Sequence, residues 1–348
     1  MPFISVIITA HNRREFLLDA VNSALNQTLP KDEYEVIVVK NFEDKRIDKF
    51  LEEHGVKNIV TNEEPFGAYL VRGVEESKGE VISLLDDDDL WLPQKLEKVK
   101  QVFQDENVIY YHNNYIDFHG SLSIDLLIDK IKSNGDSGKL LKLTIRDMNM
   151  NKNFVHPFNN SSITVRKKIF SKYALDKIKN VYLVADGLLF YLTYCNNGYF
   201  VFDDETLTLR RVHTTNVSLL HLMDYESWLA KVSNWYKMYK YDYLTFLDVF
   251  THYDKCQIPD EYKKNLISHL EARYLDLAVT YSRLPNTKND LTLKELVKYL
   301  SYQRSLKSFL HGLLPYAPGK IKEYVTKKWY KQYISDVRSK LKQQVFLD

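Results

Sequence analysis

Residues 81–92 read VISLLDDDDLWL. A short apolar run, Val81 to Leu85, leads directly into four consecutive aspartates, Asp86 to Asp89, and Leu90, Trp91 and Leu92 follow at once. Such a run, apolar on both faces, predicts a strand buried in a parallel sheet. Four adjacent carboxylates are costly, because two unit charges ~4 Å apart repel by ~4 kcal/mol at an effective dielectric of ~20. A solvated acidic turn capping the next helix would leave that cost to water, but apolar residues frame this cluster on both sides. A hard divalent cation offsets the repulsion most simply, since Mg2+ and Mn2+ prefer carboxylate and phosphate oxygens. In an extended segment, side chains two apart share a face, which sets Asp86 with Asp88 and Asp87 with Asp89.

Working outward, Ile4 to Ala10 (ISVIITA) reads as a second buried strand, and Phe16, Leu17, Ala20, Val21, Ala24 and Leu25 recur at helical spacing after it. A strand at Glu35 to Val39, a helix from Arg46 to Glu53, a strand at Asn58 to Thr61 and a helix from about Ala68 to Ser77 complete the approach to Val81. Strands alternating with helices predict an α/β fold with a mostly parallel, Rossmann-like sheet flanked by crossover helices. Ligands in such sheets sit beyond the carboxyl ends of the strands. That rule sets His11 to Arg13, Lys40 to Asp44 and Asp86 to Asp89 along one rim.

Downstream, the spacing predicts a helix over Leu92 to Gln104, a short strand at Val108 to Tyr111, a flexible loop at Ser133 to Gly138, and a strand at Ser161 to Val165. A helix at Lys167 to Tyr173, a helix over Leu183 to Tyr194, and a closing pair of strands at Tyr199 to Phe202 and Thr206 to Arg211 follow. From 216 onward the pattern is helical. The expected division is therefore a catalytic domain over 1–215 and a helical C-terminal region over 216–348.

The chain has 348 residues, 45% hydrophobic and 27% charged, the balance of a folded globular protein. Two cysteines, Cys195 and Cys256, are too few for a disulfide framework and lack zinc spacing, which points to a reducing compartment. There is no signal-type leader and no apolar stretch of about 18 residues. From 291 to the end there are 12 Lys/Arg against 4 Asp/Glu, whereas the preceding part carries 36 against 42. A basic tail on an acidic body suits an anionic surface, and the acidic body argues against nucleic acid.

The motifs SVIITAHNRREFLLDAVNSALNQT (5–28), EVIVV (35–39) and G-x5-G-V-x4-G-E-V-I-S-L-L-D-D-D-D-L-W-x-P-x-K-L (67–96) resemble the GT-A glycosyltransferases of the large inverting family two, which includes polysaccharide and lipid-linked glycan synthases. The resemblance is continuous from Ile4 to about Leu96 and recurs from Asn159 to Ser218. It implies a GT-A fold and a hexosyltransferase-type activity that moves a sugar from a nucleotide-sugar donor to a glycan or polyprenyl-linked acceptor. It further implies that Asp86 and Asp88 are the DxD motif, holding the ribose and a divalent cation, Mn2+ or Mg2+. Thr9, His11 and Arg13 match the loop that contacts the base, and Asn41 and Asp87 complete the nucleotide-sugar contacts. Asp186 matches the general base that deprotonates the acceptor hydroxyl; on its own it also suits a helix N-cap. Arg211-Val212-His213 matches an Arg-x-His segment, which makes His213 a further metal ligand or diphosphate contact. Residues 159–167 resemble the segment lining the acceptor side.

Two departures stand out. Lys40-Asn41 replaces the first residues of the usual D-D-G-S after the second strand, and Tyr69 to Val71 replaces the usual A-R-N. They sustain an alternative reading, a non-catalytic nucleotide-sugar-binding or assembly subunit that retains the fold. In the helical region, Phe309, Leu310, Leu313, Leu314 and Tyr316 precede Lys320, Lys322, Lys327, Lys328, Trp329 and Lys331. Basic residues interleaved with large apolar ones suit an interfacial helix on anionic lipid, or packing within the chain or onto a second copy. The expected location is cytoplasmic, peripheral on the inner face of the cell membrane.

Overall fold

Strand β1 (Ile4–Ala10) is buried along its whole length and organises the sheet. The structure is a computed structural model, and it describes residues 1–119, 138–148, 159–213, 223–253, 256–303 and 305–345. Helix α1 (Leu17–Leu25) presents Leu17, Ala20, Val21 and Ala24 to the sheet, the 3.6-residue stripe read from the sequence. The chain continues through β2 (Tyr34–Lys40), α2 (Lys45–Glu53), β3 (Lys57–Val60), α3 (Phe66–Glu76) and β4 (Val81–Asp86). Asp44 caps α2 by accepting from the backbone N–H groups of Arg46 and Ile47, satisfying two of the donors a helix start leaves open. β1 pairs in parallel with β2 on one side and β4 on the other, while β2 pairs in parallel with β3. The order β3-β2-β1-β4 therefore reverses direction at β1, and the carboxyl ends of β1 and β4 flank the switch point where α/β sheets open a crevice.

After β4 come β5 (Leu90–Trp91), α4 (Lys95–Val102), β6 (Val108–His119), β7 (Leu140–Leu143), β8 (Ile163–Arg166), α5 (Lys172–Ile178), α6 (Ala185–Tyr194) and β9 (Tyr199–Val212). β8 runs antiparallel to both β4 and β6, β9 runs parallel to β6, and β5 and β7 pair antiparallel with β9. The sheet is thus mixed, with its parallel half at the amino-terminal end of the chain.

Several elements differ from the sequence reading. The helix expected from Leu92 starts at Lys95, because Leu90 and Trp91 are drawn into the sheet opposite Leu209 and Thr208. The short strand expected at 108–111 runs on to His119, and the expected closing pair is one strand, β9. Its polar centre, Asp203 to Glu205, is absorbed by a register irregularity rather than a turn, since Asn113 pairs with Asp203 and Asn114 with Thr206. The helix expected at 167–173 is a 3-10 turn, Lys167–Ile169, and α5 begins only after Ser171, whose hydroxyl caps it. The loop expected at Ser133 to Gly138 lies outside the described residues apart from Gly138.

The chain divides into two compact units, one of Met1–His213 with Val249–Asn265, the other of Thr214–Asp248 with Leu266–Asp348. The first thus includes the end of α7 (Tyr225–His252) and the start of α8 (Asp260–Ser282). Within it, Cys195 at the end of α6 and Cys256 form a disulfide, and the Gln257 N–H donates to the Cys195 carbonyl at 2.8 Å. The sequence reading, that two cysteines are too few for a disulfide framework and point to a reducing compartment, did not anticipate this bridge: 61 residues apart in sequence, they meet because the chain returns to the sheet unit. The second unit is helical, with α9 (Leu293–Tyr302), α10 (Leu306–Leu313) and α11 (Gly319–Val345) beside the rest of α7 and α8. One of its clusters joins Trp228, Leu229, Val232 and Leu284 to Trp329, Tyr330 and Tyr333.

Close approach governs the start of α3. A Cβ on Gly67 would stand 1.8 Å from the Ile178 carbonyl oxygen, while the Gly67 N–H donates to Val181 at 2.8 Å. Gly67→Ala must displace backbone, and we expect a loss of ~1–3 kcal/mol in stability, read as a lowered urea midpoint with an unchanged slope.

Candidate active site

The four aspartates do not continue β4. The chain turns at Asp87 and Asp88, and the Asp89 N–H returns to the Asp86 carbonyl at 3.3 Å. The two-face arrangement expected for an extended segment is therefore corrected. Asp86, Asp88 and Asp89 converge, each with a carboxylate oxygen within 4.8 Å of the others, and Asp87 turns to Arg13. Asp87, Asp88 and Asp89 are buried, and Asp86 is partly so.

Each carboxylate meets a different donor. Arg13 bonds Asp87 through Nε at 3.2 Å and through Nη2, and Nη2 also lies 2.7 Å from Asp88. His213 Nε2 stands 2.9 Å from the same Asp88 oxygen and 3.3 Å from Arg13 Nη1. Asp89 accepts the Ser161 hydroxyl at 2.6 Å and the Arg211 N–H at 2.9 Å. Asp86 accepts from Asn160 Nδ2 at 3.3 Å, while its own N–H donates to Ser161 Oγ at 3.0 Å. Pairing with β5 carries β9 alongside the turn, which is why Arg211 and His213 reach it. Arg211 also donates through Nε to the Asp88 carbonyl at 3.0 Å and pairs with Asp19, its guanidinium lying over Phe16 and Phe118.

Burial pushes the carboxylates up. Asp86 is held well above the ordinary carboxylate range by burial and then by Asp89, Asp88 and Asp87. Burial raises Asp87 to about 6 against the opposing pull of Arg13, and burial with Asp88 raises Asp89 to about 7. The donor set suits a hard divalent cation, since it is made of convergent carboxylates that repel one another. Asp89 has a donor on each oxygen, and Asp88 is engaged by Arg13 and His213.

Thr9, His11 and Asn41 stand at the carboxyl ends of β1 and β2 and engage different partners. Thr9 is in register with Asp86. It lines a small pocket with Asp86, Asn160, Phe66, Leu70 and Leu84. His11 bonds Glu64 at 2.7 Å, and Asn12, at φ 57°, exchanges hydrogen bonds with Asn41 at 2.8 and 3.0 Å. Lys40 turns inward, donating to the Phe42 carbonyl at 2.6 Å and pairing with Asp48 at 2.8 Å, so Asn41 alone represents that segment at the rim. Asp186 stands in the first turn of α6 and accepts from the Gly187 N–H at 2.7 Å; its charge, after burial, holds the Tyr110 phenol up.

Residues 5–174 match the family model described as Glycosyl transferase family 2. That match runs from β1 into α5. It is 28% identical over 228 residues to an uncharacterized glycosyltransferase of Nostoc sp., a match covering 61% of this chain and 66% of that relative. It is 25% identical over 304 residues to one of Rickettsia typhi, covering 85% and 90%. The crystal structure of S. aureus TarS 1-349 in complex with UDP-GlcNAc shares its fold, with a TM-score of 0.56, 15% identity, and coverage of 95% of this chain and 92% of that one. The chain is accordingly a glycosyltransferase with a GT-A fold.

Sequence reasoning missed Asp89 as a convergent carboxylate, and with it Ser161, Arg211 and Lys95. Asp89 was visible as the fourth member of the run, but strand periodicity sent it to the wrong face. Lys95 is fully buried, donating to Asn113 and the Ser161 carbonyl at 2.6 Å each and to Thr208 at 3.2 Å. Burial holds its amine well below the usual lysine range. In the sequence it stood only as the lysine of the quoted motif, near the start of an expected helix.

Two outcomes are expected. Ser161→Ala removes the hydroxyl shared by Asp89 and the Asp86 N–H and leaves a buried carboxylate oxygen short of a donor, costing ~1–3 kcal/mol in chemical denaturation. The raised carboxyls mean that the folded chain binds more protons than the unfolded one between pH ~4 and ~7, so stability falls as pH rises through that window. In chelator, the thermal midpoint should drop across that window, less so in Asp89→Asn, and Mn2+ should restore it at neutral pH.

Proposed function

We propose that this glycosyltransferase is metal-dependent and inverting, moving a sugar from a nucleotide-sugar donor to a glycan or lipid-linked acceptor at the cytoplasmic face of a membrane. Residues 1–215 would be the catalytic domain and 216–348 a region serving membrane contact, oligomerisation or the acceptor. The convergence of Asp86 and Asp88 beside Arg13 and His213, at the carboxyl end of β4, carries this reading. Asp86 and Asp88, with His213, would hold Mn2+ or Mg2+, which when bound supplies Lewis-acid stabilisation of a diphosphate leaving group.

The remaining work falls to the chain's own side chains. Arg13 and His213 lie where a diphosphate would meet positive charge and a hydrogen-bond donor, and a buried setting strengthens both contacts. Thr9, His11 and Asn41 line the rim where the nucleoside would be read, and Asp87 keeps the Arg13 guanidinium in place. Asp186 would take the proton from the acceptor hydroxyl as that oxygen attacks the anomeric carbon from the face opposite the diphosphate. UDP-GlcNAc is the first donor to test, because TarS, which shares the fold, is seen in complex with it.

Calorimetric titration with UDP-GlcNAc and other nucleotide sugars, with and without Mn2+, checks the donor and the metal together. Binding should require Mn2+ and weaken at least about tenfold in Asp88→Ala, as expected for loss of a charged ligand worth at least ~1.4 kcal/mol. Asp186→Asn should keep donor affinity while turnover falls by ~10^2 or more. Donor binding indifferent to both Mn2+ and Asp88→Ala would remove the basis of the proposal.

A further inference from the structure

In the lysine-rich last helix, Trp329, Tyr330 and Tyr333 turn inward, whereas Ile321 and Tyr324 are exposed. Trp329 meets Trp228 edge-on at 5.1 Å between ring centres, and Tyr330 and Tyr333 pack on the same indole. Further unburied apolar surface lies on the two short helices before it. On α10, Leu306, Phe309, Leu310 and Leu313 are 74%, 43%, 54% and 41% exposed. Their i, i+3, i+4, i+7 spacing places them on one stripe. The inward side of α10 is Gly312, whose α-carbon lies so close to Tyr299 and Leu300 of α9 that an added Cβ would stand 2.7 Å from the Tyr299 ring. On α9, Leu293 and Val297 are likewise exposed, at 73% and 60%. α9 thus packs inward through Leu296, Tyr299 and Leu300 and α10 through Gly312, while each also turns an aliphatic stripe to solvent, which a helix on a finished surface does not do.

The charge carried by these two helices is mainly basic, with Lys298 of α9 paired to Glu271 of α8. Lys294, Lys307 and Lys320 are exposed. Among the described residues from 291 to 320, Glu295 is the one carboxylate, and it is engaged: it closes the capping box with Thr292 and accepts the Tyr274 hydroxyl at 2.8 Å. A second copy docked face to face on this surface would set lysines against lysines. A nucleic acid would satisfy the lysines but not the leucines, which offer no stacking plane. Aliphatic stripes flanked by ammonium groups match a bilayer interface, where leucine and phenylalanine enter the acyl boundary and lysines meet lipid phosphates.

We propose that the α9–α10 face is a docking surface for an anionic phospholipid membrane. It deepens the lipid-linked-acceptor reading above: binding there would raise the local concentration of an acceptor confined to the same bilayer.

Flotation of the full chain with phosphatidylcholine vesicles, with or without phosphatidylglycerol, tests it with no donor present, so its failure is separable from failure of the donor reading. The chain should float with anionic vesicles, remain behind with neutral ones, and be released by salt. The double variant Leu306→Asp/Leu310→Asp, at solvent-exposed positions, should lose at least about tenfold in partitioning with an unchanged thermal midpoint. Lys294→Glu/Lys307→Glu should lose about fivefold per lysine. The proposal is overturned if the wild type ignores anionic vesicles or if both variants float like it. It is equally overturned if the leucine variant only dissolves a self-association seen by light scattering, or if nucleic acid is retained on this face while vesicles are not.

Discussion

Four carboxylates at the mouth of a buried strand are the constraint around which the first unit is arranged. Water cannot screen them there, so the surrounding chain must do so. Arg13 comes from the loop after β1, Ser161 from the turn before β8, and Arg211 and His213 from the end of β9. Each is delivered by a different strand, so the sheet must be assembled before the aspartates can be tolerated. The coupling runs both ways, because the same contacts fix the turn that lets three of the carboxylates converge.

Two buried lysines show how polar groups are used away from the rim. Lys95 reaches the Ser161 carbonyl from below, and so supports the residue whose hydroxyl joins Asp86 to Asp89. Lys40 opens the segment that departs from the family resemblance, yet its amine folds back onto Asp48 and the Phe42 carbonyl. The substitution therefore does not set a cation facing the crevice. It leaves that edge to the Asn12–Asn41 amide pair, which can both donate and accept. Leu70 and Phe66 add an apolar wall to the pocket beside Thr9 and Asp86.

The helical unit follows a different logic. Its interior is dominated by aromatic contacts on Trp228, while short helices expose aliphatic side chains among lysines. A basic, apolar-rich stretch reads the same in sequence whether its apolar residues turn inward or outward. Only packing separates Trp329, Tyr330 and Tyr333 of α11, which are used internally, from the leucines of α10, which are not.

Local pattern alone determined much of this protein. The alternation of buried strands with amphipathic helices up to Asp86, and the family motif at its end, are written in short-range periodicity, which a strand or helix expresses wherever it sits. The convergence of Asp86, Asp88 and Asp89, the long course of β9 and the Cys195–Cys256 bridge were decided by the tertiary structure. Each depends on a partner dozens of residues away or more, such as Arg211 for Asp89 or Leu209 for Leu90. No residue's own periodicity records which distant group will be there to meet it.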